Sequence, residues 1–344
     1  MRALVLILVG ACSVLRSGAP PEVNVLNADR TQQLRLRARQ VQWAFPSSSG
    51  RPVPADPPAW AAEFAADRES FARAATYLAD HGQPEAALEL AARVWRLWVL
   101  ARDDAAGRRF LAPLLDRPGL PPCRDLALAL YGDGLFAFRL GDLAASRARN
   151  AAALRTARTS GDREAEGLAL LGLSRVAFSD GNHAAAREHA QDALALLTPL
   201  DPALTQAPLH MLAQATRALG TVDDAAVLFA RSLDLNRRLG DHGMVQVELH
   251  NLGHVELRRG NVDAAERLFA EGAADVDTTD RYGAAMVRFN QAAVAGARQD
   301  PVRAAALLRE ARAILADARL ALAADDAVEF DRLEAALSAA PAAR

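Results

Sequence analysis

Apolar residues recur along the chain with the spacing of one helix face, and short turns interrupt them at regular intervals. After one such turn, Val262, Ala265 and Phe269 stand at i, i+3 and i+7, as on one side of an α-helix. Successive turns lie 39 or 40 residues apart, and a second series with the same spacing falls between them. Two interleaved series of turns predict two helices per repeat. The first series is centred on Gly141, Gly181, Gly220, Gly260 and Gln299, and the second on Asp162, Asp201, Asp241 and Asp280.

The residues at these turns are of the types that end one helix and begin the next. Glycine adopts the left-handed conformation that commonly ends a helix. An Asp or Asn directly after it, as in Gly141-Asp142 and Gly181-Asn182, can accept hydrogen bonds from the first free amides of the following helix. No stretch alternates apolar and polar residues for long enough to predict a strand, so the pattern predicts an all-α protein.

Small residues occupy three positions at fixed distances from each turn: seven residues before it, five after it and twelve after it. Helices that cross closely leave no room for larger side chains at such positions. This pattern resembles the tetratricopeptide repeat (TPR), whose usual period is about 34 residues; HEAT-like repeats are the alternative. The resemblance implies a right-handed α-solenoid of about six TPR-like helix hairpins, with a longer period of about 40 residues. The small residues are Gly134, Ser174, Ala213, Gly253 and Ala292; Ser146, Ala186, Ala225, Ala265 and Ala304; and Ala153, Ala193, Ser232, Gly272 and Ala311.

The array extends less regularly towards the amino terminus, where Arg102-Asp103 stands in the turn position 39 residues before Gly141. The pattern there predicts three further helices, at about 58–80, 84–100 and 104–116. The chain accordingly divides into three predicted regions: a hydrophobic start, short basic helix and flexible linker at 1–57, a TPR-like array at 58–338, and a tail at 339–344.

The beginning of this array resembles a recurrent segment of a known family. The similar stretches are residues 60–64, 73–77, 86–98 and 107–111. They resemble the start of the repeat domain in actinobacterial LuxR- and AfsR-like signal-transduction ATPases, and the resemblance covers roughly residues 56–335. Those regulators also carry an NTPase domain and a helix-turn-helix domain, for which this sequence has no room. The resemblance therefore implies a detached sensor module that receives an inducer or a protein partner.

Composition narrows the possible functions. The chain has 40 basic and 42 acidic residues, a formal net charge of −2, so nothing predicts attraction to nucleic acid. Every basic residue is an arginine, and the absence of lysine excludes P-loop and Schiff-base chemistry. Two cysteines, Cys12 and Cys123, cannot by themselves form a disulfide framework or a zinc site. We expect no cofactor, no metal, no catalytic residues and no enzymatic activity.

The amino terminus allows two interpretations. An apolar run at residues 3–9 precedes Gly10-Ala11-Cys12 and resembles a short lipoprotein signal. The run is at the lower limit for a signal sequence and far below the roughly 20 residues that span a bilayer. We therefore expect a cytoplasmic protein. A membrane-anchored lipoprotein is the alternative, and it would contact the membrane only if Cys12 is lipidated.

Two short motifs suggest chemistry but favour a simpler explanation. His250 and His254 share one helix face at i and i+4, a spacing that zinc can use, but Asn251 replaces the glutamate of a zincin and no third ligand is evident. We interpret them as polar groove residues or solvated side chains. The sequence from Gly132 to Ala137 matches the relaxed dinucleotide fingerprint, yet it lies inside a predicted helix, where Gly134 is a packing position.

The basic residues near the amino terminus and the tryptophans have similar alternatives. Four arginines could contact an anionic surface, but a solvated helix face is the better interpretation because no aromatic residues are interleaved. Trp95 and Trp98 lie on an apolar helix face and are expected in the core, although a partner-binding patch with Trp43 and Trp60 is the alternative. The four arginines are Arg30, Arg35, Arg37 and Arg39.

A candidate binding surface follows from the TPR resemblance. In that family the first helix of each pair lines a concave groove, and the register places exposed side chains ten, six, three and two residues before each turn. A groove of this composition, with Phe138 and Phe178 at one end, suits an acidic or carboxylate-bearing peptide. We therefore predict a non-enzymatic protein or peptide scaffold; the alternatives are a small-metabolite sensor, an enzyme accessory subunit, or an ordinary solvated face. The predicted groove residues are Tyr131, Arg139, Arg175, His210, Gln214, Arg217, His250, His254 and Arg258.

Overall fold

The computed structural model describes residues 27–44, 66–274, 276, 279–322 and 324–339, and this part of the chain contains helices and no strand. One 3₁₀ turn, Pro202–Thr205, lies among these helices. The α-helices, in chain order, are α1 Ala28–Ala44, α2 Arg68–Asp80, α3 Pro84–Val94, α4 Arg96–Leu100, α5 Asp104–Leu115, α6 Arg124–Arg139, α7 Leu143–Ser160, α8 Arg163–Ser179, α9 His183–Leu197, α10 Gln206–Ala218, α11 Val222–Leu239, α12 His242–Arg258, α13 Val262–Ala274, α14 Arg281–Ala297, α15 Pro301–Ala318 and α16 Ala324–Ala339.

Six helix pairs follow one another along the described chain, and each pair is joined at a predicted turn. The pairs are α3 and α4 with α5, then α6–α7, α8–α9, α10–α11, α12–α13 and α14–α15. The residue at each turn within a pair adopts the left-handed backbone conformation, which glycine accepts without strain. This confirms the predicted all-α solenoid of helix hairpins. The φ angles are 54° at Arg102, 79° at Gly141, 77° at Gly181, 85° at Gly220, 80° at Gly260 and 62° at Gln299.

Side chains cap the helices that follow the turns, as the sequence predicts. The carboxylate of Asp142 accepts a hydrogen bond of 3.0 Å from the amide of Ala145, and Asp241 does the same for Met244 at 3.0 Å. Thr221 is an exception, because its side chain does not cap the next helix. These bonds satisfy amides that have no partner within the helix.

The small residues at the three fixed positions lie between packed helices. All of them are buried except Gly272, which is half-buried. A Cβ atom added to Gly134 would lie 2.7 Å from the side-chain amide of Asn150, and one added to Gly253 would lie 2.2 Å from the ring of Phe269. The packing role predicted for Gly134 is confirmed, and the helix pairs can cross in this way only with very small side chains at these positions.

The amino-terminal helices differ in part from the prediction. The helix expected at 84–100 is interrupted at Trp95 and forms α3 and α4. Trp95 and Trp98 are each 1% exposed, which confirms that they belong to the core. The side chain of Trp43 and the whole of Trp60 lie outside the described residues.

Helix α1 packs against α2 and α3 and does not present a purely solvated basic face. Leu34 and Ala38 are buried. Arg35 and Arg39 form ion pairs with Glu89 of α3 at 2.9 and 3.3 Å. The expectation of a solvated face was wrong for Arg35, which is half-buried, whereas Arg39 is exposed. The apolar stripe between the arginines holds the helix on the array.

Other predictions fall outside the described residues. They concern the lipoprotein motif at Cys12, the linker expected after α1 and most of the tail. Within the described residues, no helix combines the length and the apolar character that a membrane crossing requires.

A larger side chain at a crossing position should destabilise the fold. Ala265 of α13 is fully buried beside Phe269 and Val294. We expect Ala265→Leu to lower the free energy of unfolding by roughly 1–3 kcal/mol through overpacking. Urea denaturation measures the change, with Ala270→Leu on the exposed side of the same helix as the control. Equal stability of the two variants would show that the helices do not cross at this position.

Candidate functional site

The nine predicted groove residues all lie on α6, α8, α10 and α12, the first helices of four successive pairs. Side-chain hydrogen bonds connect neighbouring first helices along this row. Arg175 of α8 donates to the hydroxyl of Tyr131 on α6 at 3.2 Å, and Arg217 of α10 donates to the side-chain oxygen of Asn251 on α12 at 3.0 Å. The predicted residues therefore belong to one continuous face.

The expectation that all nine side chains are exposed was wrong. Tyr131, Gln214 and His254 are each only 4% exposed, and Arg217 is 6% exposed. On this face the first helices stand side by side, so polar side chains fill the space between them and hydrogen-bond to each other. In addition, α16 lies over part of the row. The face is thus a partly buried polar surface rather than a freely solvated one.

One half of the face, which we call the open half, is a cleft of about 380 Å³. Its basic side chains come from four successive pairs, and aromatic rings lie among them. The open half is lined by Trp95, Arg96, Tyr131, Phe138, Arg139, Arg175 and His210, together with apolar and amide side chains.

Arg96 belongs to the open half but was absent from the predicted set. It stands six residues before the turn at Arg102, as Arg175 stands six before Gly181, so the same register would have selected it. Its side chain is only 5% exposed. Burial lowers the pKa of Arg96 to about 10, while the nearby Tyr131 and Glu164 raise it. Arg96 is still a cation at neutral pH, and its lost hydration is only partly compensated.

The other half of the face, which we call the covered half, lies beneath α16 and consists of Arg217, His250, His254 and Arg258. Glu329 of α16 forms an ion pair with Arg258 and lies 3.8 Å from Arg217. The next contact along α16 joins Asp326 to the ring of His250 at 3.2 Å. The hydroxyl of Tyr282 also donates a hydrogen bond to Asp326. These acidic partners were missed, since the repeat pattern does not predict where a helix after the last pair docks.

Charges in the covered half are strongly coupled. Burial raises the pKa of Asp326, but hydrogen bonds from His250 and Tyr282 outweigh this effect and hold the pKa below its usual value. Burial lowers the pKa of Arg258; Glu329 raises it, and the neighbouring Arg332 and Arg217 lower it. One glutamate therefore faces several arginines.

His250 and His254 are engaged within the protein. Their ring centroids lie 4.6 Å apart. His254 hydrogen-bonds to the side-chain oxygen of Asn290 at 3.0 Å. Burial, and then the charge of His250, hold the pKa of His254 well below its usual value. Over the described ranges, no cluster of three or more His, Cys, Asp or Glu side chains is arranged to hold a metal ion.

Comparison with known proteins identifies the fold. A Rap protein complexed with Competence and Sporulation Factor has a TM-score of 0.58 at 13% identity, over 88% of this chain and 80% of that one. Cut9 in the APC/C Cut9–Hcn1 hetero-tetramer gives 0.55 at 18% identity, over 88% and 53%. BtubC (BKLC) from P. vanneervenii gives 0.50 at 17% identity, over 64% and 92%. No protein-family model and no curated protein matches the sequence. At these identities the similarity establishes the fold alone, an α-solenoid of TPR-like helix pairs.

The depressed pKa of His254 should make stability depend on pH. The pKa of a histidine in an unfolded chain is near 6.5. Below that pH, His254 is therefore protonated in the unfolded chain but stays neutral in the folded protein. The stability linked to this residue is therefore fully present above pH 6.5 and is lost progressively as the pH falls towards the folded-state pKa.

We expect the free energy of unfolding to decrease between about pH 7.5 and pH 5, and His254→Gln to make this decrease smaller. Urea denaturation across the pH range measures both slopes. His242→Gln, at an exposed histidine on the same helix, is the control and should keep the wild-type slope. An unchanged slope in His254→Gln would show that this imidazole is as easily protonated in the fold as in the unfolded chain.

Proposed function

We propose that this protein is a non-catalytic scaffold that binds an acidic segment of a protein or peptide along the face formed by its first helices. The observation that carries the proposal is the open half, where Arg96, Arg139 and Arg175 line one cleft with aromatic rings between them. Arginine is well suited to carboxylates because its planar guanidinium can donate two parallel hydrogen bonds.

Burial of Arg96 strengthens this proposal. A buried guanidinium that has lost hydration gains more from an incoming carboxylate than an exposed one does. Arg139 is exposed and pairs with Asp104 at 3.2 Å, an ion pair that is weak in solvent and easily exchanged. The half-buried ring of Phe138 offers an apolar contact for the rest of the ligand. The net charge of −2 supports a protein partner rather than nucleic acid.

Proteins with the same fold support the class of partner. The Rap structure holds Competence and Sporulation Factor, and Cut9 is complexed with Hcn1. The resemblance of residues 56–335 to the repeat arm of LuxR- and AfsR-like regulators supports a narrower proposal. In it the chain is the sensing arm of a regulatory system, and the controlled domain belongs to another molecule.

The size of the open half supports a second candidate, a sensor of a small carboxylate metabolite. Its volume of about 380 Å³ falls within the usual range of small-molecule sites, roughly 300–1,000 Å³. Isothermal titration calorimetry separates the two candidates. If the site takes peptides, an acidic peptide binds and a small dicarboxylate alone does not. If the protein is a metabolite sensor, the small dicarboxylate binds with an affinity comparable to that of the peptide.

A random peptide library selected on the immobilised full-length protein tests the proposal. We expect the enriched peptides to carry an excess of Asp and Glu. Arg175→Ala should weaken the best peptide by roughly 1–3 kcal/mol, as for the loss of a charge-assisted hydrogen bond, while the melting temperature stays close to wild type. Fluorescence anisotropy measures the affinity, and added salt should weaken it, since partly exposed charges are screened.

Arg155→Ala is the matched control, because Arg155 is exposed on α7, the second helix of its pair. It should leave the affinity unchanged. Enrichment of peptides without acidic residues, or equal affinity of Arg175→Ala and Arg155→Ala, would exclude the open half as an acidic-peptide site.

A further inference from the structure

Helix α16 contacts helices beyond the last pair, α14–α15, which a helix that only covered the end of the array would not do. It packs on that pair through Phe330, whose ring stacks on Phe289 of α14 with centroids 3.9 Å apart and planes 12° apart. A helix that only covered the end of the array would contact α14 and α15. Here Glu329 also pairs with Arg258 of α12 and approaches Arg217 of α10. The helix therefore lies along the face, over the first helices of three pairs.

The groove side of α16 combines acidic and apolar residues. Asp326, Glu329, Phe330 and Leu333 stand at i, i+3, i+4 and i+7, which places them on one side of a helix. Phe330 is fully buried, and Glu329 is 6% exposed. The acidic side chains meet the basic residues of the covered half, and the apolar ones meet α14. Helix α16 thus has the features expected of an acidic peptide ligand.

The fit of α16 on the face is incomplete. A cleft of about 690 Å³ remains between α16 and the helices beneath it, lined by Arg258, Phe289, Leu333 and Leu337 among others. Helix α15 approaches the backbone of α14 far more extensively than α16 does. Helix α16 contributes less packing to the face than the paired helices do.

The charge balance of the covered half also favours a stronger ligand. Glu329 is shared among Arg258, Arg217 and Arg332 of its own helix. The two acids of α16, Asp326 and Glu329, thus face Arg217, Arg258 and the ring of His250. A segment with more acidic side chains on the groove side would interact more favourably with this region.

We propose that the covered half is a second binding site, specific for an acidic amphipathic helix of a partner protein, and that α16 occupies this site within the same chain until the partner displaces it. The partner helix carries an acid, a second acid three residues later, a phenylalanine directly after it, and an apolar residue three positions further on, as in Asp326, Glu329, Phe330 and Leu333. The inference rests on the proposed peptide-binding function.

Competition between the tethered helix and a free one tests the proposal. A tethered helix acts at an effective concentration in the millimolar range, so it should strongly reduce the affinity for a free copy. The probe is a fluorescein-labelled peptide of residues 322–339. It is titrated into full-length wild type, Glu329→Gln and the double variant Glu329→Gln/Phe330→Ala. We expect the double variant to bind at least about tenfold more tightly than wild type, with Glu329→Gln between them.

Hydrogen exchange detected by mass spectrometry on the same proteins shows whether α16 has left the face. In the double variant, protection should fall in residues 324–339 and persist in α6–α15. The control is Asp331→Asn, which removes a negative charge from the exposed side of α16 and should change neither exchange nor affinity.

Three results would overturn the inference. Loss of protection throughout α12–α15 would make α16 a structural part of the array. Unchanged protection of α16 would mean that Glu329 and Phe330 do not hold it in place. Detachment of α16 without tighter peptide binding would mean that the covered half does not bind such helices. In each case the selection on the open half remains an independent test, so the two proposals can fail separately.

Discussion

The close crossing of paired helices at very small residues is the constraint on which the rest of this structure depends. A Cβ atom at Gly253 would overlap the ring of Phe269, so the two helices of that pair can approach as they do only without a side chain there. The same spacing recurs in pair after pair, and each pair then buries its apolar side on the next. Because the repeat is regular, every first helix presents the same positions to the same face.

That regularity also explains the electrostatic character of the face. Neighbouring first helices are close enough for their polar side chains to hydrogen-bond, as Arg175 does to Tyr131. Such side chains lose hydration, and the depressed pKa values of Arg96 and His254 follow from it. Arg96 remains a cation despite its burial, and a carboxylate can restore part of the interaction that its guanidinium loses with water. In the covered half the chain supplies carboxylates itself, through Asp326 and Glu329.

The two halves of the face therefore have the same kind of basic surface, which lies beneath α16 in the covered half and not in the open half. In the open half, Arg96, Arg139 and Arg175 line a cleft. In the covered half, equivalent positions on later pairs contact the acidic helix α16. A repeat array allows such a division because the same types of side chain recur along its length. A terminal helix can then cover one part of the face while another part stays accessible.

Much of this architecture could be predicted from local pattern. The period, the left-handed turns, the caps and the crossing positions depend on interactions between residues close in sequence, and the register even selects Arg96 when it is extended to the first pair. Exposure of the groove residues could not be predicted in this way. Glu329 lies 71 residues from Arg258, and no periodic signal connects them. The sequence by itself determined which elements form and which face they share; only the tertiary structure decided which part of that face is covered, because the docking of α16 depends on long-range packing and charge pairing that local periodicity does not encode.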